Sequence, residues 1–317
     1  MAYHLKSGEP VPEAMRRVVE EEIAWAIDQL SGKGDANRDV AIHEARKSIK
    51  KIRGVLRLMR PEIDPVFAFE NVRFRNLGRR LSVFRDAGAV IETFDALILK
   101  YQPELRKRRL LSVRRGLVMR KQQSEIVDGV QLVMAGAIRT LRAARRRVPQ
   151  WPLVHDGFAA VAPGLESTFR RGQKAFQLCR KDPTPENYHE WRKRVKDHWY
   201  HIRLLENLWT DMMQAYERTL KELETWLGED HNLVVLREKV LSEPGYYGGR
   251  NNLKWFREFV AEYQHELRAN SLSLAARIYQ EKPRQFTRRM QHFWDAWRKQ
   301  PKHFAEAVKQ QQAGTAA

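Results

Sequence analysis

Apolar residues recur along this chain at the spacing of an α-helix. Residues 42–60 show the pattern at its clearest, with apolar side chains at alternating intervals of three and four: Ile42, Ala45, Ile49, Ile52, Leu56 and Met59. Such spacing forms one apolar stripe on one helix face. Similar windows, separated by Pro and Gly breakers, fill the chain, and no alternating strand pattern interrupts them. The pattern therefore predicts an all-α protein.

Two windows of the chain match each other at an offset of 146 residues. The sequence HEARKSIK at 43–50 aligns with HEWRKRVK at 189–196, and the same ungapped register pairs Leu81 with Leu227. One register kept across two helices and a turn is hard to obtain by chance. We therefore predict two tandem copies of one helical unit, each long enough to form a bundle.

The strongest boundary signal in the chain is the sequence PQWP at residues 149–152. Paired prolines this close together end a helix and favour an irregular connection. We predict an N-terminal bundle over residues 1–148, a C-terminal bundle over residues 149–310 and a disordered tail over residues 311–317.

A basic stripe borders the apolar stripe in both copies. A shift of one residue rotates a position by about 100° around a helix, and in the first copy this shifted register holds His43, Arg46, Lys50, Arg53, Arg57 and Arg60. In the second copy it holds His189, Arg192, Lys196 and Arg203, with Trp199 interrupting. The adjoining flanks add Lys47 and Lys193.

No acidic residue interrupts the first stripe, although a structural helix normally places acids four residues from its bases. Rows of cations at regular intervals suit a linear polyanion, because Arg offers paired hydrogen bonds to phosphate and Lys a mobile point charge. The two histidines can donate to phosphate in either protonation state. The duplicated stripe therefore predicts a binding surface for a phosphate polymer.

Three further arginines extend the candidate site on the next helix and the turn after it: Arg79, Arg80 and Arg85. Their counterparts at the offset are Thr225, Trp226 and His231, so only the last position keeps its character. The Arg-rich segment at residues 106–120 has no counterpart, and its role stays open.

Composition and charge narrow the class of partner. The 317 residues include 58 Lys and Arg against 39 Asp and Glu, a net charge of +19, and 43% hydrophobic residues, enough for a core. The charge indicates an anionic partner: nucleic acid, anionic lipid or a phosphate polymer. The single cysteine, Cys179, excludes a disulfide framework, and no apolar run is long enough to span a membrane. We expect a cytoplasmic protein without a membrane partner.

Catalytic chemistry has weak support in the sequence. His198 and His201 lie three residues apart near Asp197 and could hold a metal, but no zinc-protease motif or glycine-rich phosphate loop occurs. His198 also falls on the apolar face, where a core histidine is the favoured interpretation. We therefore predict no catalytic residues, no bound metal and no cofactor.

The paired motif resembles the CHAD family, the conserved-histidine α-helical domain. The match rests on His-x-x-Arg-Lys-x-x-Lys at 43–50 and 189–196 and on the Leu-rich turns that follow. The resemblance implies two helical bundles related by pseudo-twofold symmetry around a basic cleft, binding of inorganic polyphosphate, and association with polyphosphate granules in bacteria. The ligand contacts that it implies by position are His43, Arg46, Lys47, Lys50, Arg53, His189, Arg192, Lys193 and Lys196.

Two alternatives remain open at this stage. Nucleic-acid binding fits the charge, and Trp and Tyr side chains could stack on bases, but no nucleic-acid-reading motif is present. A cleft that binds polyphosphate should also hold RNA or DNA weakly. Hydrolysis of polyphosphate or a phosphate ester is the less favoured alternative. Chain-length preference, oligomeric state and biological role do not follow from the sequence.

Overall fold

The computed structural model describes residues 3–32, 37–82, 86–101, 107–125, 129–249 and 253–300. Within these residues the chain forms eleven α-helices and no strand, which confirms the all-α prediction. The helices are α1 Val11–Leu30, α2 Arg38–Leu58, α3 Asp64–Ser82, α4 Asp86–Tyr101, α5 Lys107–Glu125, α6 Val130–Arg147, α7 Phe158–Lys181, α8 Pro185–Leu204, α9 Thr210–Ser242, α10 Lys254–Ile278 and α11 Pro283–Lys299. The predicted tail at 311–317 lies outside the described residues.

The helices that carry the repeated motif, α2 and α8, begin at local capping signals. The Asn37 side chain accepts a hydrogen bond from the Asp39 backbone N at 2.8 Å. The Thr184 hydroxyl accepts one from the Asn187 N at 3.3 Å, and Pro185 fills the first helical position. Each cap satisfies a backbone donor that the helix itself leaves unpaired.

The apolar stripes of α2 and α8 face the protein interior. The predicted apolar stripe is buried in and just after α2: Ile42, Ala45, Ile49, Ile52, Leu56 and Met59. The apolar residues at the matching positions in and just after α8 are buried as well: Tyr188, Trp191, Val195, Ile202 and Leu205. Burial of each large side chain contributes about 1.5–3 kcal/mol. This packing fixes the rotation of both helices and so determines the direction of the neighbouring basic stripes.

The two helices are in close contact at a pair of positions that the offset relates, Gly54 and Tyr200. A Cβ on Gly54 would lie 3.1 Å from the Tyr200 Cβ, so a larger residue at 54 would press against α8. The His201 Nε2 lies 2.9 Å from the Gly54 carbonyl oxygen. Positions 54 and 200 are 146 residues apart, as are the last residues of α2 and α8. The offset therefore recurs in the fold, while the duplication and its pseudo-twofold axis stay predictions.

Two hydrophobic cores hold the described helices together, and each draws on both halves of the chain. The larger core joins α1, α2, α3 and α6 to α7, α8, α11 and the first part of α9. The smaller core joins α4 and α5 to the second part of α9 and to α10. The packing units thus differ from the sequence halves, because α4 and α5 bury their apolar faces against the other half. The division at residue 148 stays a prediction about the repeat.

In the part of the chain that the structure describes, no helix offers an apolar stretch long enough to cross a lipid bilayer.

Candidate anion-binding site

Two adjoining cavities open beside the contact between α2 and α8. One has a volume of about 700 Å³ and extends towards α3 and α7. The other has a volume of about 680 Å³ and extends towards α4 and α9. Their walls share Arg46, Lys50, Arg53, Arg57, His189, Lys193 and Asp197. We call the two cavities together the α2–α8 cleft.

Positive charge dominates the lining of the α2–α8 cleft. Its described lining holds twelve Lys and Arg side chains: Arg46, Lys50, Arg53, Arg57, Arg60, Arg75, Arg79, Arg171, Arg192, Lys193, Arg194 and Lys196. The carboxylates in that described lining are four: Glu92, Glu190, Asp197 and Glu229. A concave surface with this excess of one sign focuses the electrostatic potential and raises the local concentration of anions.

Lys50 lies at the centre of this charge. Its pKa is lowered to about 7, first by burial and then by the positive charges of Lys196, Arg46 and Arg192, against a weaker opposing effect of Glu224. No carboxylate of the described residues forms an ion pair with the Lys50 amine. Burial and the neighbouring cations disfavour the charged form of this lysine. An anion that enters the cleft therefore stabilises the charged amine more than it would an exposed lysine.

Arg53 is the second half-buried cation of α2. Its Nε donates a hydrogen bond to the Asn71 Oδ1 at 3.0 Å. Burial lowers its pKa to about 10, and the charges of Arg57, Arg75 and Arg79 contribute, so the guanidinium remains charged at pH 7. Within the described residues no acid forms an ion pair with Arg53, and its remaining donors are available to a ligand.

Other cations of the stripes have internal counterions, which corrects the expectation of an unneutralised row. Arg57 Nη1 lies 2.6 Å from the Asp197 Oδ1. Glu224 of α9 binds Lys196 Nζ at 2.6 Å and Arg192 Nη2 at 3.4 Å. Burial alone would raise the pKa of Glu224, but these cations outweigh it and the pKa falls to about 2. The acids come from α8 and α9, so inspection of α2 alone could not show them.

Two histidine rings lie in contact at the edge of the cleft that α8 and α9 share. The ring centroids of His189 and His231 are 4.0 Å apart. Burial lowers the pKa of His231 to about 4, with His189, Arg192 and Lys193 adding to the effect. The pKa of His189 is lowered as well, by burial and then by Lys193 and Arg192. Both rings are therefore neutral at pH 7 in the free protein and can act as hydrogen-bond donors.

Three predicted site residues of α2 and α8 lie outside the cavity walls. His43 lies at the exposed start of α2, with its Nε2 3.9 Å from the Glu44 Oε1. The Lys47 amine bonds to the same carboxylate at 3.3 Å. Arg203 pairs with Glu217 at 2.9 Å, beyond the point where the two helices cross. The other predicted residues of these two helices line the cleft.

The predicted arginines of α3 have different positions. Arg79 lines the cleft, whereas the Arg80 guanidinium lies beside Gly136 of α6. The two residues are neighbours in sequence, and a rotation of about 100° around the helix axis separates their directions. Arg85 lies outside the described residues. His231, its predicted counterpart, lines the cleft.

Several lining residues were not among the predicted site residues. Asn71 and Arg75 precede the predicted Arg79 on α3 at intervals of four. This spacing was a signal for one face of a helix. Arg171 of α7 and Arg194 of α8 line the same cavity. Arg194 lies within the repeated motif but off its basic stripe, whereas nothing in the sequence around Arg171 indicated the site.

The histidines considered as metal ligands belong to the core. His198 is fully buried and contacts the rings of Phe169 and Phe286, and burial lowers its pKa to about 3. His201 is also fully buried, beside the Gly54 carbonyl. The core interpretation of His198 is confirmed. Among the described residues no cluster of three or more His, Cys, Asp or Glu side chains forms a metal site.

The fold and the cleft define an all-α protein with a cation-lined groove beside two helices of repeated sequence. The family model for the CHAD domain matches residues 14–241, which is more than half of the chain, so the chain belongs to the CHAD domain family. The fold is similar to the crystal structure of the CHAD domain from the plant Ricinus communis. That match has a TM-score of 0.58 and 17% sequence identity, and covers 92% of this chain and 95% of the other. No curated protein matches the chain.

Proposed function

We propose that the α2–α8 cleft binds inorganic polyphosphate. The observation that carries the proposal is the set of α2 and α8 cations shared by two adjoining cavities. A linear polymer with a charge on every phosphate could pass from one cavity to the other along these side chains. Membership of the CHAD domain family supports the same ligand class.

The cleft offers each phosphate more than one kind of contact. Arg46 and Arg53 present planar guanidinium groups, which form paired hydrogen bonds with phosphate oxygens. Lys50 and Lys193 supply point charges that adapt to the ligand, and the neutral ring of His189 adds a donor. Hydrogen bonds to charged groups contribute about 1.5–3 kcal/mol each, so a few of them suffice for tight binding.

Nucleic acid is expected to be the weaker ligand of this cleft. Base stacking needs exposed aromatic faces, and the aromatic side chains lining the cleft offer few. Tyr200 and Phe74 are each 2% exposed. The Arg60 guanidinium lies 4.9 Å from the centroid of the Phe67 ring. The Lys100 amine lies 4.6 Å from the centroid of the Tyr263 ring. RNA and DNA can therefore use their phosphates here but gain little from their bases.

A displacement assay tests the ligand class directly. Wild-type protein is loaded with fluorescent single-stranded RNA and titrated with polyphosphate, and the reverse titration is run beside it. We expect polyphosphate to displace RNA at equal phosphate concentration, whereas RNA displaces polyphosphate only in large excess. Equal or stronger retention of RNA would contradict the proposal and favour a nucleic-acid-binding function.

Binding is proposed to occur without turnover. The buried carboxylate of the cleft, Asp197, is held by Arg57 at 2.6 Å, and Glu190 is paired with Arg194 and Lys193. Burial alone would raise the pKa of Glu190, but Arg194 and Lys193 lower it, which makes this carboxylate a poor general base. Burial raises the pKa of Asp197 against the opposing charge of Arg57, so the contact with Arg57 is what keeps this carboxylate engaged. We expect no phosphate release from polyphosphate in the presence of divalent cations. Release that disappears in Asp197→Asn would show hydrolysis instead.

In a cell that stores polyphosphate, the proposed function places the protein in the cytoplasm at polyphosphate granules. A fluorescent fusion is expected to form foci that overlap stained granules. The fusion should be diffuse when Lys50 and Arg53 are both replaced by Gln, and foci that persist in this variant would contradict cleft-dependent recruitment.

A further inference from the structure

A second set of arginines lies outside the α2–α8 cleft, where α3 packs against α6. A Cβ on Gly136 would lie 3.1 Å from the Arg80 Nη2 and 3.8 Å from the Arg139 Nη2, so two guanidinium groups converge above one glycine. Both side chains are exposed. No acid of the described residues forms an ion pair with either of them. Two guanidinium groups held close together on a surface can both donate hydrogen bonds to one anion.

The exposed face of α6 extends this pair along the helix. Arg142, Arg145 and Arg146 are exposed and line a shallow pocket of about 540 Å³ against α1. Asp28 is the one acidic residue in the described lining of that pocket. We call the whole surface the outer arginine ridge; its members are Arg80, Arg139, Arg142, Arg145 and Arg146.

The outer arginine ridge is costly without a ligand. Along α6 its arginines are spaced three or four residues apart, and each such pair of like charges costs a few tenths of a kcal/mol. A bound polyanion relieves this repulsion and releases counterions. No aromatic ring is among the described residues that line the pocket against α1. The surface therefore suits phosphate groups better than bases.

The ridge and the cleft draw on consecutive residues of α3. Arg79 lines the cleft and Arg80, the next residue, starts the ridge. We propose that the outer arginine ridge is a second phosphate-binding surface, which holds the part of a long polyphosphate chain that leaves the cleft at Arg79. This inference rests on the proposed function of the cleft. It makes affinity dependent on chain length, since a short chain fills the cleft alone.

The test compares two ligands on one variant. In Arg80→Gln/Arg139→Gln the converging pair is removed, and thermal unfolding checks that the fold is kept. We expect the affinity for long-chain polyphosphate to fall about tenfold or more. The slope of log affinity against log salt should become shallower by roughly one for each phosphate that the variant no longer neutralises. The affinity for tripolyphosphate, which the cleft can hold alone, should stay within about twofold of the wild type.

The matched control removes the same charge from another exposed helix. Arg284→Gln/Arg288→Gln alters two exposed arginines of α11, and it should leave both affinities unchanged. Unchanged long-chain affinity in the ridge variant would overturn the inference and leave the cleft proposal standing. A ridge variant that loses only duplex DNA binding would also overturn it, in favour of nucleic acid. Wild-type protein that binds neither polyphosphate would refute the cleft proposal itself.

Discussion

The two helices that face each other across the cleft share a sequence motif but differ in electrostatic environment. On α2, Lys50 and Arg53 are half-buried among other cations, and among the described residues no acid forms an ion pair with them. On α8, Arg192 and Lys196 share the buried carboxylate Glu224. Lys50 and Arg53 therefore destabilise the free protein and are ready for a ligand, whereas Arg192 and Lys196 are part of the structure that holds the cleft open.

The largest effect that this comparison predicts is on stability. Replacing Arg192 and Lys196 with Gln leaves Glu224 buried with fewer partners, and breaking such a buried pair costs about 3 kcal/mol or more. The matched change of Lys50 and Arg53 to Gln removes two half-buried cations that have no carboxylate partner among the described residues, and it should leave the free energy of unfolding unchanged or raised. Urea unfolding of both double variants measures their free energies of unfolding. Equal destabilisation of the two variants would contradict the proposed difference between the α2 and α8 cations.

The next effect is a pH dependence of ligand binding. The lowered pKa of Lys50, about 7, means that its charge is lost as the pH rises above neutrality in the free protein. Bound polyanion raises that pKa, so affinity should be highest below pH 7 and fall by up to about tenfold per pH unit above it. His189 and His231 are already neutral there, because their pKa values are lowered.

Lys50→Arg is the control for this titration, because Arg keeps its charge across the range. Its affinity should be flat between about pH 7 and pH 9, measured by titration with the same polyphosphate. If the affinity of the wild type is equally independent of pH, Lys50 does not take up a proton when the ligand binds. Any ionisation of the ligand itself affects both proteins alike and cancels in the comparison.

The sequence predicts one part of this arrangement well. Spacing alone identified the buried seam of α2 and the rotation that places Arg46, Lys50 and Arg53 beside it. It could not identify Glu224 as a counterion, because which acid meets which base depends on how α9 packs against α8. It also could not show that α4 and α5 pack with the other half, because an apolar pattern defines a buried face but not the partner that covers it.

The smallest predicted effect belongs to the two histidine rings in contact. His231→Ala removes one neutral donor, and a neutral hydrogen bond contributes about 1 kcal/mol, or roughly fivefold in affinity. Removing this ring also exposes His189, whose pKa should rise towards its ordinary value. A polyphosphate titration that showed a loss of more than about a hundredfold would contradict a supporting role and place the histidines at the centre of binding.

The most direct test of the central claim is a calorimetric titration of long-chain polyphosphate into Lys50→Gln/Arg53→Gln, with Arg284→Gln/Arg288→Gln as the charge-matched control. Removing two charge-assisted hydrogen-bonding groups should weaken binding by about a hundredfold or more while the fold stays intact. The control should bind as the wild type does. Wild-type affinity in Lys50→Gln/Arg53→Gln would contradict the account, because polyphosphate would then bind without the two cations at the centre of the cleft.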